Sequence, residues 1–185
     1  MKSKLWFLII ILLIWIFSYF AINQFVSNTD YFYDYSIFLD DFIPLIPFFV
    51  GIYISSYILM FVIPLLFENR KAYFYAFVTL IALTAPFFIF LPGIMIRPEI
   101  LGKDIFSWAL NIIYSLDNPH NLFPSSHISI SVLNALIMNN KWVYLWAFLI
   151  ILSTLFVKQH YILDVLGGIL VAIISFLVYN YFKKH

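Results

Sequence analysis

Apolar runs long enough to cross a hydrocarbon layer of about 30 Å recur from one end of this chain to the other. Six are readable, over roughly 5–25, 43–66, 72–91, 125–139, 142–157 and 161–181. In lipid each backbone amide and carbonyl must be satisfied internally, so runs of this kind fold as helices. The expectation is an all-α, polytopic membrane protein, a six-transmembrane-helix bundle in which residues 1–185 form a single integral membrane domain. A chain that is 64% hydrophobic and 10% charged, with a mean hydropathy of +1.00, is not of soluble composition. A formal charge of +1 with no basic patch gives no reason to expect nucleic acid as a partner. The absence of cysteine removes disulfides and thiolate catalysis.

The apolar stretch after Met1-Lys2-Ser3-Lys4 exceeds the roughly 7–15 residues of a signal-peptide core, and no small-x-small cleavage site follows it. It reads as a retained first helix. Between the spans lie an acidic loop (Asp30, Asp34, Asp40, Asp41), a tight Glu68-Asn69-Arg70-Lys71 turn, a long segment 92–124, and short links at Asn139-Asn140-Lys141 and Lys158-Gln159. Pro47, Pro64 and Pro86 fall inside spans and read as packing kinks. An even span number puts both termini on one side. If that side is the cytoplasm, Lys2, Lys4, Arg70, Lys71, Lys141, Lys183 and Lys184 are inside, and only Arg97, Lys103 and Lys158 outside. The positive-inside rule then predicts cytoplasmic termini, with plasma membrane the expected location.

That orientation collects the chemistry-bearing residues on one extracytoplasmic face. His127 opens the fourth span, His160 and Asp164 open the sixth, and Arg97 and Lys158 share their side. Ionisable groups near lipid usually mark a functional site. His160 and Asp164, four apart, share one helical face, where the carboxylate would fix the imidazole tautomer. Ser125 after Pro124 is a natural cap, and the helix start it announces is suited to anions. His120 and His185 read as interfacial anchors or satisfied polar groups. On the residues alone, phosphoryl transfer, a metal site and a structural polar cluster all stay open. The two cations weigh toward the first, since they attract phosphate and repel a metal.

The stretch Asp117-Asn118-Pro119-His120-Asn121-Leu122-Phe123-Pro124-Ser125-Ser126-His127, with Lys158-Gln159-His160-Tyr161-Ile162-Leu163-Asp164 downstream, resembles the type 2 phosphatidic acid phosphatase superfamily. More closely it is similar to a divergent branch that includes lipid headgroup phosphotransferases. Of that superfamily's three motifs, the third is carried by Ser153, His160 and Asp164, the second by Pro124, Ser125 and His127, and the first only by Arg97-Pro98. The resemblance covers about residues 86–170. It implies six helices and a metal-independent, cofactor-free enzyme in which His160 forms a phosphohistidine, Asp164 orients it, and His127 protonates the leaving oxygen and later activates water. Arg97 and the Ser125-Ser126 backbone would hold phosphate oxygens. Phe90 stands where the first-motif lysine belongs, Ser126 replaces glycine, and Thr154 replaces an arginine, so Lys158 is the candidate replacement cation.

The expected substrate is a lipid phosphomonoester or pyrophosphate of the phosphatidate, phosphatidylglycerol phosphate or prenyl pyrophosphate type. Transfer of the phospho-headgroup to an alcohol is the close alternative, and a non-enzymatic transporter or binding protein the alternative of another class. From Ser125 to Asn139 a helix rises about 22 Å, which would sink His127 below the outer boundary and favour sideways entry of long-chain lipids. Segment 104–116 reads as a short interfacial helix capped by Asp104 and anchored by Trp108, or as a lid. Gly167-Gly168 reads as a close-packing contact.

Overall fold

The computed structural model describes residues 2–185, with side chains from Leu5 onward. Seven α-helices follow in order: α1 Lys2–Val26, α2 Val50–Phe61, α3 Arg70–Phe90, α4 Ile105–Leu116, α5 Ser126–Met138, α6 Lys141–Phe156 and α7 Ile162–Lys184. No strand occurs among the described residues; a single bridge pairs Tyr33 with Gly93. The protein is all-α.

Four stretches are long and apolar enough to cross a membrane: Leu5–Val26, Pro47–Leu66, Arg70–Phe90 and Ile162–Lys184. The chain is thus, by length and composition, an integral membrane protein. The expected fourth and fifth spans are shorter, since α5 has 13 residues and α6 has 16. They rise about 20 and 24 Å, less than a hydrocarbon core of about 30 Å. The cause in α5 is local: Ser125 caps its start, and Asn139 in the left-handed conformation (φ 47°) stops it. The expected span 43–66 is also not one helix. Pro47 opens a 3-10 turn, Pro47–Phe49, before α2, and Pro64 lies in a second, Ile63–Leu66, after it. Pro86, by contrast, stays inside α3.

α5 is the hub. Every position from Ser126 to Ala135 except the half-buried Val132 is buried, and the helix packs against α7, α6, α2 and α3. α3 and α7 form the most extensive helix pair, and α1 lies on α3. Large apolar side chains such as Leu13, Phe17, Phe148, Leu170 and Leu177 point outward, as lipid-facing residues must. Both termini lie at one end of the bundle. Phe7 of α1 meets Tyr73 at the start of α3, and Tyr75 stacks on Phe182 of α7 at 4.1 Å. At the other end, α4 begins at Asp104, whose carboxylate accepts the Phe106 and Ser107 amides. Leu110 of α4 packs with Val50, Tyr53 and Val157, while Trp108 is exposed.

Candidate active site

The site is assembled where α5 and α7 begin. After α6, Lys158 adopts φ 50°, and the Gln159 and His160 amides both turn back to Thr154 O. This reversal sets His160 just before the first turn of α7. Two carboxylates cap that turn: Asp164 Oδ2 accepts the Tyr161 amide at 2.8 Å, and Asp40 Oδ1 accepts the Ile162 amide at 2.9 Å. The oxygen of Asp164 that caps also lies 3.4 Å from His160 Nδ1. Its second oxygen is buried without a partner.

α5 is tied to this turn by its backbone. Ser125 Oγ accepts the Ile128 amide, and the Ser125 amide donates to Asp164 O at 3.1 Å. The glycine pair makes the approach possible. A Cβ on Gly168 would stand 2.8 Å from Ser125 O, and one on Gly167 would stand 2.6 Å from the Phe123 ring. With Ser125 N–H committed, the amides of Ser126 and His127, as the first two helical residues, have no intrahelical acceptor and remain for an anion.

His127 is 2% exposed and His160 6%, their ring centroids 6.0 Å apart. Four aromatic rings enclose His127: Trp15 and Tyr19 from α1, Tyr53 and Tyr57 from α2, all within 6.1 Å between centroids. Tyr53 OH stands 3.5 Å from His127 Nε2, and Nδ1 is buried without a partner. None of these four aromatics was legible as a site residue, because α1 and α2 are apolar on every side and carry no motif. Ser153 is fully buried and donates to Ile150 O, within its own helix.

The cations sit differently. The Arg97 guanidinium donates to Asp117 O (2.6 Å), Tyr114 O (3.2 Å) and Gln159 Oε1 (2.7 Å), and stacks over the Tyr114 ring at 4.6 Å. It therefore braces the C-terminal end of α4 against the residue before His160, where a cation suits the helix dipole. Its Nε–H is buried and without a protein partner. Lys158 Nζ donates to Asp40 O at 3.2 Å and lines a cavity of about 340 Å³ together with Asp41, Ile96 and Tyr161. Its ammonium serves the acidic loop in this conformation.

Asp117 joins the surroundings, with its carboxylate accepting from Tyr19 OH at 3.1 and 3.3 Å. Burial pushes this carboxyl above the ordinary range, against the opposing pull of Arg97 and the Tyr19 hydrogen bond. His120 stacks on Phe32 at 4.6 Å, with Nδ1 3.4 Å from Gly93 O; burial holds it below the usual imidazole range. His185 lies at the far end, with Nδ1 2.9 Å from Tyr181 O. Among the described residues no three His, Asp or Glu side chains are grouped to hold a metal ion.

A small pocket of about 10 Å³, room for about one water, lies between α1 and α3 beside the Trp15 and Tyr19 rings that pack on His127. It is lined by Trp15, Tyr19, Ile22, Thr84, Ala85 and Ser126, among others. Trp15 Nε1 and Ser126 Oγ are buried there without partners. No family model, curated protein or solved structure matches the chain.

Proposed function

We propose that this protein is a membrane lipid phosphatase working through a phosphohistidine on His160. The observation that carries the reading is the pair of facing, buried imidazoles, one of them held by Asp164 at 3.4 Å, beside a capped helix start with two unused amides. A carboxylate on Nδ1 makes Nε2 the free, nucleophilic nitrogen. In the first step His160 Nε2 attacks phosphorus, the P–O bond to the lipid alcohol breaks, and protonated His127 gives its proton to the departing oxygen. In the second, neutral His127 takes a proton from water as that water attacks phosphorus; the P–N bond breaks and phosphate leaves. The Ser126 and His127 amides and Arg97 Nε–H would hold the phosphate oxygens. Lys158 would join them only by releasing Asp40 O.

In this reading α5 and α6 complete six spans, both termini are cytoplasmic, and the histidines face the extracytoplasmic side. The substrate is a phosphomonoester or pyrophosphate of phosphatidate, phosphatidylglycerol phosphate or prenyl pyrophosphate type. One observation gives headgroup transfer a place beside hydrolysis. Both imidazoles are nearly shut off from solvent, so an alcohol arriving from the membrane competes well for the position of the water. The test is purified protein assayed against a panel of lipid phosphates, with free phosphate and exchanged headgroup measured together. Turnover lost in His160→Gln, with 32P trapped on wild-type protein in acid-labile form, supports the proposal. Turnover undiminished in His160→Gln refutes it, and ligand binding without turnover would favour a transporter or binding protein.

A further inference from the structure

At the opposite end of the bundle, short α5 ends at Met138 while α7 runs on to Lys184, and a cleft of about 790 Å³ opens between them and the start of α3. Its chemistry is divided. Leu66, Phe67, Ile137 and Met138 form an apolar wall, and Arg70, Lys71 and Lys183 bring three cations against the single carboxylate of Glu68. Among the described residues none of the three cations makes an ion pair, and Arg70 Nε is buried with no hydrogen-bond partner. A buried guanidinium N–H without an acceptor is a costly arrangement unless an anion is drawn to it. A second hollow of about 360 Å³ shares Ile137, Tyr179 and Lys183 with the first and continues along α7 past Phe176 and Asn180.

We propose that this cleft binds the phosphate of an anionic phospholipid, with Arg70, Lys71 and Lys183 around the headgroup and an acyl chain on the Leu66–Phe67–Ile137–Met138 wall. Charge complementarity selects the anion. The apolar wall selects a lipid over free phosphate, and basic pockets between membrane helices take such headgroups. The site lies at the end opposite His127 and His160, so it is independent of their chemistry.

The test uses the full chain in nanodiscs of phosphatidylglycerol or phosphatidylcholine, read by unfolding midpoint and by lipid retained in native mass spectrometry. The expected result is a higher midpoint in phosphatidylglycerol and preferential retention of that lipid. Retention should fall about fivefold for each cation removed in Arg70→Gln and Lys183→Gln. Lys141→Gln, at the same end but outside the cleft, should keep the preference. Should Arg70→Gln fail to fold, exposed Lys183→Glu supplies the readout. Absence of a phosphatidylglycerol preference would overturn the proposal. So would equal losses from Lys141→Gln and Lys183→Gln, which indicate diffuse surface charge, or a matching midpoint rise from inorganic phosphate alone, which indicates a free-anion site.

Discussion

The oxygen of Asp164 that stands 3.4 Å from His160 Nδ1 is the same one that accepts the Tyr161 amide at 2.8 Å. One atom thus shares with Asp40 Oδ1 the capping of α7 and also meets the candidate nucleophile, so the capping and proposed orienting roles are inseparable in position but separable in chemistry. An amide can still accept from Tyr161 N–H, but it cannot stabilise the charge that develops on the ring. Asp164→Asn should therefore keep the fold and lose phosphate release by about 10²–10⁴-fold. Asp164→Ala should lose the cap as well, at about 1 kcal/mol. Phosphate release and unfolding midpoint, measured on both variants, separate the two roles; equal activity in wild type and Asn variant would remove Asp164 from the mechanism.

Tyr53 touches His127 Nε2 through a long hydrogen bond of 3.5 Å inside a ring of aromatics. Tyr53→Phe keeps the ring and deletes only the hydroxyl. A net hydrogen bond of about 0.5–1.5 kcal/mol translates into a two- to twelvefold loss of turnover. The unfolding midpoint should stay close to wild type, and the pH profile of turnover should move, since a partner of the imidazole has gone. A profile superimposable on wild type would make Tyr53 a packing residue only.

Gly168 and Gly51 offer a matched pair. A Cβ on Gly168 meets the Ser125 carbonyl, which is backbone and cannot swing aside, whereas a Cβ on Gly51 in α2 meets nothing within 4 Å. Gly168→Ala should push α7 from the cap of α5, destabilise by about 1–3 kcal/mol and abolish most turnover. Gly51→Ala should stabilise by about 0.4–1 kcal/mol, because only the unfolded chain loses freedom. Thermal unfolding of the two variants side by side is the measurement.

These residues also mark what was legible in the sequence. Caps are local chemistry, so Asp104 and Ser125 were readable from spacing, and the helix starts at both histidines fell within a residue or two of the expectation. His160, however, stands before the cap Tyr161 and meets Asp164 across the helix start rather than on a shared helical face. Prolines were ambiguous: Pro64 falls in the turn that follows α2, while Pro86 is absorbed by α3, and only neighbouring packing decides between these. The aromatic enclosure of His127 was hidden, because in a helix apolar all round no periodicity tells which ring faces the core. Where the cations point was hidden too. Lys158 is swung toward Asp40 by a left-handed backbone (φ 50°) that no side-chain pattern announces.

Asp117 supplies a pH prediction. Burial raises its carboxyl above the ordinary 3.8, so between that value and its folded pKa the folded chain holds more protons than the unfolded one. Stability must then fall as pH rises through this interval. Asp117→Asn keeps an acceptor for Tyr19 OH and has no charge to bury. The midpoint of the variant should gain on wild type as pH is raised from about 4, and the gain should level off once Asp117 is fully ionised. A difference that is constant with pH would mean that the carboxyl is not held protonated by the fold.

The cavity between α1 and α3 leads to a prediction about substrate length. The unpartnered Ser126 Oγ and Trp15 Nε1 are among its lining residues with Ile22, Ile81 and Ala85, and it holds only about 10 Å³, so a substrate passes here only by parting α1 from α3. In the α3 wall, Pro86 cannot donate the helical hydrogen bond to Ala82 O, so the last turn of that helix is the one most easily displaced. A lipid phosphate approaching through this seam would keep its chains in hydrocarbon while its headgroup reached the imidazoles. Ala85→Phe should close the seam at the lipid side without touching His127, His160 or Asp164. The expected outcome is a loss of about tenfold or more in kcat/KM for a long-chain lipid phosphate, a size in line with about 1.4 kcal/mol of lost transition-state access. Turnover of a short-chain, water-soluble analogue should change by less than about twofold. Equal losses on the two substrates would place the entrance elsewhere, and the groove of Leu83, Phe87, Phe123 and Leu170 between α3 and α7 would become the next wall to block.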